Sequence, residues 1–206
     1  MADRASGSGR PPTISTVASA NWDGRKLDRE HYSDVLFTDL DMREAHTTGS
    51  VFNRCTFRRA RLNSSVHDDA AFLNCTFIGA KFFDVRFTRC KLLGSVFDGC
   101  SFEIMQAKDG DWSFAGFAGA DLGSAQFEGV RLCEADLTRT RCKGSVLRNC
   151  DLSLATLTGA DFTTYDLRGS DLGMLDPREV VITGAIIDIK QTASIAQALG
   201  FDVRAR

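Results

Sequence analysis

The apolar residues of this chain recur every five positions. From Ser145 the sequence runs in blocks of five: Ser145-Val-Leu147-Arg-Asn, Cys150-Asp-Leu152-Ser-Leu, Ala155-Thr-Leu157-Thr-Gly, Ala160-Asp-Phe162-Thr-Thr, Tyr165-Asp-Leu167-Arg-Gly and Ser170-Asp-Leu172. A period of five fits neither the 2.0 of a strand nor the 3.6 of a helix, so it marks a tandem repeat. The large residue of each block, its centre, falls at every number ending in 2 or 7. Of the 31 such positions from Trp22 to Leu172, 23 are Leu or Phe, and Trp22, Tyr32, Met42 and Trp112 are also large and apolar. Two residues before each centre lies a second inward candidate. Of the 25 from Ser50 to Ser170, all are small except Met105 and Tyr165.

The frame holds without insertion, so its irregularities are informative. At Met105 and Ala107 the large and small residues have exchanged places, and at Gly110 and Trp112 the largest centre follows the smallest partner. Both preserve volume, as packed interiors require. Four centres break the rule: Thr47, His67, Ala107 and Cys142. The first three differ by multiples of 20 and fall on one side of any four-block coil, beside Phe87. That side is either packed by local compensation or kinked into a contact surface.

Small-(Asp/Asn)-Leu-x-x is the consensus of the pentapeptide-repeat family, which this chain resembles over most of its length. The resemblance implies an all-β fold, a right-handed quadrilateral β-helix. Each block makes one side, four blocks make one coil, and the remaining positions of each block face water. Stacked coils pair their main-chain groups with the coils above and below.

The ends depart from the repeat. Residues 1–18 are rich in Ser, Gly, Ala, Arg and Pro and are expected to be a disordered tail. Residues 19–187 form the β-helix. Arg25 and Glu30 occupy small-residue positions in the ragged stretch 20–50, which reads as a cap on the first coil. The period stops after Leu172. Asp176-Pro177 starts a turn, Val180 to Ile187 gives one last extended segment, and Asp188 caps a helix from Ile189 to Leu199 that Gly200 ends. Residues 188–206 then serve for capping and dimerisation.

The 206 residues carry a formal net charge of −2, and no apolar run reaches the ~18 residues of a membrane span. With no signal-peptide core, a cytoplasmic location is expected. Five of seven cysteines (Cys55, Cys75, Cys90, Cys100, Cys150) take the small inward position. Cys55 and Cys75 stack on adjacent coils at a spacing that permits a disulfide, although a reduced core fits the compartment better. No catalytic set, metal site, cofactor motif or basic nucleic-acid-binding stripe stands out. His67-Asp68-Asp69 has no nucleophile placed beside it.

What remains is an acidic surface. Asp121, Asp136, Asp151, Asp161, Asp166 and Asp171 each precede a centre, as the repeat consensus allows. Within 151–176, five Asp face Arg168 alone, a net of −4. Cys90-Lys-Leu-Leu-Gly-Ser-Val-Phe97, the Phe72–Phe77 block and the C-terminal helix resemble the mycobacterial quinolone-resistance pentapeptide proteins, the MfpA type. The plasmid-borne Qnr proteins are more distant, since their projecting loops have no place in this unbroken frame. This resemblance implies a homodimer that binds DNA gyrase by imitating DNA, with the six aspartates as its charged surface. Ile187, Ile189, Ile195, Leu199 and Phe201 would supply the dimer interface. About 7.5 coils at ~4.8 Å make a rod of roughly 36 Å, near 20 Å wide, comparable to a duplex. A structural or scaffolding repeat protein with another partner is the alternative.

Overall fold

The computed structural model describes residues 12–204. It is an all-parallel β-solenoid whose strands are three or four residues long. Each pairs with the segment four blocks on, as in Phe37↔Phe57, Phe57↔Phe77 and Phe77↔Phe97. Every fourth block thus returns the chain to the same side and closes a four-sided coil. The longest stack holds seven strands, from Lys26–Asp28 to Val146–Arg148. One short α-helix, Thr192–Ala198, follows the last coil.

Centres and small partners fill the interior. Phe52, Phe57, Phe72 and Phe82 are fully buried, and like rings stack one coil apart with centroids 4.8 Å apart for both Phe52–Phe72 and Phe57–Phe77. Small residues are needed two positions earlier because their side chains turn back onto the main chain of the coil before. Ser95 Oγ donates to the Phe72 carbonyl at 2.9 Å, and Cys75 Sγ lies 3.3 Å from that of Phe52. All seven cysteines are thiols. Burial pushes those of Cys90, Cys100, Cys142 and Cys150 up to about 12, which keeps them protonated and inert.

Local compensation explains the broken centres. Leu27, Thr47, His67, Phe87, Ala107, Phe127 and Leu147 form one unbroken column in the seven-stranded stack, so that side is not kinked. Thr47 Oγ1 lies 2.7 Å from His67 Nδ1, and Ser65 Oγ 2.9 Å from Nε2, which satisfies both ring nitrogens. The imidazole stacks on Phe87 at 4.8 Å, as a Phe would. Where Ala107 leaves room, Trp112 stands edge-on to both Phe87 and Phe127, at 5.3 and 5.6 Å. Gly110 has a further cause: a Cβ there would lie 2.2 Å from the Cys90 carbonyl oxygen. Tyr165, fully buried in a small position, accompanies the undersized centre Cys142.

Both ends differ from expectation. The strand Ser15–Ala18 pairs with Val35–Thr38, so structure begins inside the stretch 1–18 expected to be disordered, of which residues 1–11 lie outside the described residues. In the first coil, Arg25 lies 4.9 Å above the Trp22 ring and pairs with Glu30 at 3.0 Å, while Tyr32 Oη donates to Glu30. These long polar side chains cover the aromatic end of the first described coil. At the other end the period outlasts Leu172. Asp161↔Val181 and Asp166↔Ile186 keep the four-block register, and Ile182, Ala185 and Ile187 pack on the core. The helix is shorter than expected because Ile189–Gln191 winds as a 3-10 turn. Asp188 is the N-cap, in a capping box with Gln191. Gln191 Nε2 also donates to the carbonyls of Leu167 and Ser170, at 2.7 Å each, which closes the final coil.

Burial holds the His67 imidazole down to about 3, with His46 adding a smaller push in the same direction. The folded state therefore binds fewer protons than the unfolded state below pH ~6.5, and its stability falls as pH drops from there towards 3. Chemical denaturation at pH 7 and pH 5 should differ by about 2 kcal/mol from this group. His67→Phe, although it leaves two buried hydroxyls without a partner, should remove that difference; an unchanged pH slope would mean that the imidazole is not neutral and buried.

Candidate functional site

The six aspartates share one local geometry and four different faces. Each sits one residue before a centre, and all but Asp166, which follows Tyr165, come after a small inward residue. Asp136, Asp151, Asp161 and Asp171 accept the main-chain N–H two residues on at 2.9 or 3.0 Å, as does Asp121 from Gly123. These carboxylates fix the turn in which they stand. For Asp151 the Ser153 hydroxyl and N–H hold its ionisation below the usual carboxylate range, and Thr163 does the same for Asp161.

Register then separates them. Asp121, Arg141 and Asp161 stack on one side. Asp111, Arg131 and Asp151 stack on a second, with Asp171 following as its N–H reaches the Cys150 carbonyl. Asp136 lies on a third, between Gly116 and Thr156, and Asp166 on the fourth, between Val146 and Ile186. The structure does not gather the six into one patch; it distributes them around the coil.

Asp166 is not outward either. It is 6 % exposed and held between Arg168, at 2.8 Å, and Arg148. Those two guanidiniums, Arg168 foremost, hold its carboxyl far below the usual range. Asp121 pairs with Arg141 at 3.3 Å and Asp151 with Arg131 at 3.5 Å, both well exposed and so of little energetic weight. Among the described residues, Asp136, Asp161 and Asp171 form no ion pair.

Charge along the rod alternates by segment. Residues 43–91 carry nine Arg or Lys against four Asp or Glu, a net of +5. Residues 151–188 carry seven acids against Arg168 and Arg178, a net of −5. In the first half, Arg54, Arg59 and Arg89 clamp Asp34, Asp39 and Asp69 of the preceding coil at 2.6–2.8 Å. Residues 92–130 carry six acids against Lys108 alone, also a net of −5, so the C-terminal coils hold one of two strongly acidic segments.

The expected interface residues split into two groups. Ile187 and Ile195 are half-buried and pack on the core. Ile189, Leu199 and Phe201 are 89, 49 and 66 % exposed. Val203, Ile186 and Val181 join them at the surface, and the sequence reading missed all three. The helix buries no residue completely. No group of three or more His, Cys, Asp or Glu among the described residues could hold a metal ion, and no helix is long and apolar enough to cross a membrane.

Comparison with known proteins agrees with this geometry. Residues 115–153 and 135–173 match the family model "Pentapeptide repeats (8 copies)". Residues 115–173 thus carry pentapeptide repeats, and the register of the coils continues the same geometry on both sides of that segment. No curated protein matches the sequence. Among solved structures, a trypsin-treated variant of QnrB1, a plasmid-mediated fluoroquinolone resistance protein, is 24% identical, with a TM-score of 0.65 over 92% of this chain and 100% of that one. Full-length QnrB1 is 20% identical, with a TM-score of 0.60 over 92% and 99%. HetL of Nostoc sp. strain PCC 7120, involved in heterocyst differentiation regulation, is 20% identical, with a TM-score of 0.54 over 85% and 86%. At these identities the likeness is one of fold.

The two kinds of aspartate should respond differently to neutralisation. Asp166→Asn leaves Arg148 and Arg168 facing a neutral amide and should cost about 1 kcal/mol, discounted because both arginines are well solvated. Asp171→Asn keeps a turn-forming oxygen and should fall within ~0.5 kcal/mol of wild type. Equal melting temperatures for the two would place Asp166 at the open surface.

Proposed function

We propose that this protein acts by binding: a homodimer joined at its C-terminal ends offers an acidic rod to DNA gyrase in place of duplex DNA, in the manner of the MfpA type. The observation that carries this reading is the net −5 of residues 151–188, placed next to the exposed apolar residues Ile189, Leu199, Phe201 and Val203. A two-fold through that end brings the two acidic segments together, doubling the field that a basic DNA-binding saddle would meet. Because the outward aspartates face three of the four sides, the charge wraps most of the rod, as phosphates wrap a duplex. Residues 92–130 add a second acidic segment, net −5, before the +5 of residues 43–91 interrupts the imitation.

The QnrB1 likeness supports a resistance-related role, extending to protection of gyrase from quinolones, through shared fold alone. The HetL likeness supports a second reading, a regulatory interaction protein with a different partner. A supercoiling titration with purified gyrase, with and without a quinolone, separates the two. Wild type should inhibit supercoiling, and less so as salt rises, because screening acts over roughly 8–10 Å. The variant Asp151→Asn, Asp161→Asn, Asp171→Asn should stay folded and lose most of the effect, since Asn keeps the turn and removes the charge. Full inhibition by that variant would exclude charge mimicry, and no effect of wild type at any salt would favour the regulatory reading. Deletion of residues 188–206 should give monomers or aggregates in light scattering; a clean dimer would place the interface elsewhere.

A further inference from the structure

Among the described residues the ladder that joins the coils lapses between Ser101 and Asp121 and again in the last coil, where the gap is shaped to take a strand. On the preceding coils this side is regular: Thr156 N–H donates to the Ala135 carbonyl at 2.9 Å, and Leu137 N–H to that of Thr156 at 2.8 Å. By the same register Asp176 should pair with Thr156, but Pro177 occupies the centre position and the chain turns outward, closed by Glu179 N–H to the Asp176 carbonyl at 3.0 Å. The ladder resumes at Gly159, whose N–H reaches the Glu179 carbonyl. Facing this turn, the Leu157 N–H and the Ala155 carbonyl have no hydrogen-bond partner among the described residues, nor has the Leu154 N–H at the corner before them. The Ala155 carbonyl and Leu157 N–H flank Thr156 on one edge, the pair that a single residue of an added parallel strand satisfies.

The surroundings of that edge are specific. A cavity of about 210 Å³ is lined by residues 154–158 with Met174, Asp176, Glu179 and Val180. Leu154 and Met174 form an apolar wall, 62 and 47 % exposed. Leu154 holds φ +58°, a left-handed corner that elsewhere in this chain is mostly Asp, Asn, Arg or Gly. A branched apolar side chain there is strained and solvated at once, as it also is at Ile104; of the two, Leu154 lines this cavity. Asp176, paired with Arg178 at 2.7 Å, and Glu179, which accepts from Thr158 Oγ1 at 3.0 Å, make an acidic rim.

We infer that this slot binds a short extended segment of a protein partner, carrying an apolar residue flanked by Lys or Arg. The partner's main chain completes the ladder at Thr156, its apolar side chain lies against Leu154 and Met174, and its cations meet Glu179 and the negative field of residues 151–188. This holds whether or not the partner is gyrase.

The probe is an acetylated, amidated Lys-Val-Lys-Val-Lys-Val-Lys peptide, titrated into the full-length 15N-labelled protein. Expected are saturable shifts centred on the amides of Leu154, Thr156 and Leu157. N-methylation of the central Val, which removes a main-chain donor and keeps the charge, should weaken binding at least about tenfold. Leu154→Asn suits the left-handed corner, so its Tm should equal or exceed that of wild type while affinity falls by a similar factor; Met174→Ser, in the same apolar wall, should also weaken binding. Equal binding of the methylated peptide would reduce the contact to charge alone and overturn the slot. Shifts spread over the acidic coils, or none at all, would overturn it too.

Discussion

Everything in this molecule depends on main-chain hydrogen bonds between segments four blocks apart. A side of one block can meet the next coil in register only if the chain turns sharply at each corner. The corners do so with a left-handed residue: among the described residues, twenty besides glycine have positive φ, and all have numbers ending in 4 or 9. Each such residue costs roughly 1 kcal/mol unless it is Gly, Asn or Asp. The ladder and the stacked rings offset that cost in every coil, and the arrangement repeats because no single coil could bury its own faces. The same constraint fixes which residues point inward and which sides neighbouring aspartates occupy.

The interior was legible in the sequence because size alternation is a one-dimensional signal. Phe57 and Phe77, or Ser50 and Cys75, announce their positions by spacing alone. The coincidence of Thr47, His67 and Ala107 on one side was legible too, since it needs only counting by fours of blocks. How that side stays straight was not. It depends on two hydroxyls meeting the His67 ring nitrogens and on the angle of Trp112 between two phenylalanines, which spacing does not encode.

The acidic surface was harder to read for a related reason. A run of Asp in sequence suggests a patch, yet successive blocks turn onto successive sides, so Asp161, Asp166 and Asp171 face three directions. The count that united Thr47 with His67 separates them. The burial of Asp166 has no such signal. It follows from Arg148 and Arg168 closing over it, one from the preceding coil and one from its own side. Val203 was missed because it lies beyond the helix, where periodicity has ended.

A solenoid with uninterrupted ladders on every side offers partners only side chains. Charge on such a surface steers and orients, but it discriminates poorly among basic partners, because a rod ringed by carboxylates looks similar from several directions. Discrimination needs a place where the regular surface fails in a defined way. Pro177 supplies one. It has no N–H to donate and cannot serve as a centre, so the side that carries it leaves the stack and Thr156 keeps an open edge. That edge lies within the acidic segment 151–188, so long-range attraction and short-range recognition act on the same coils. The division of labour follows from the repeat: the period builds the field, and its one proline-bearing block breaks the period where a partner can be read.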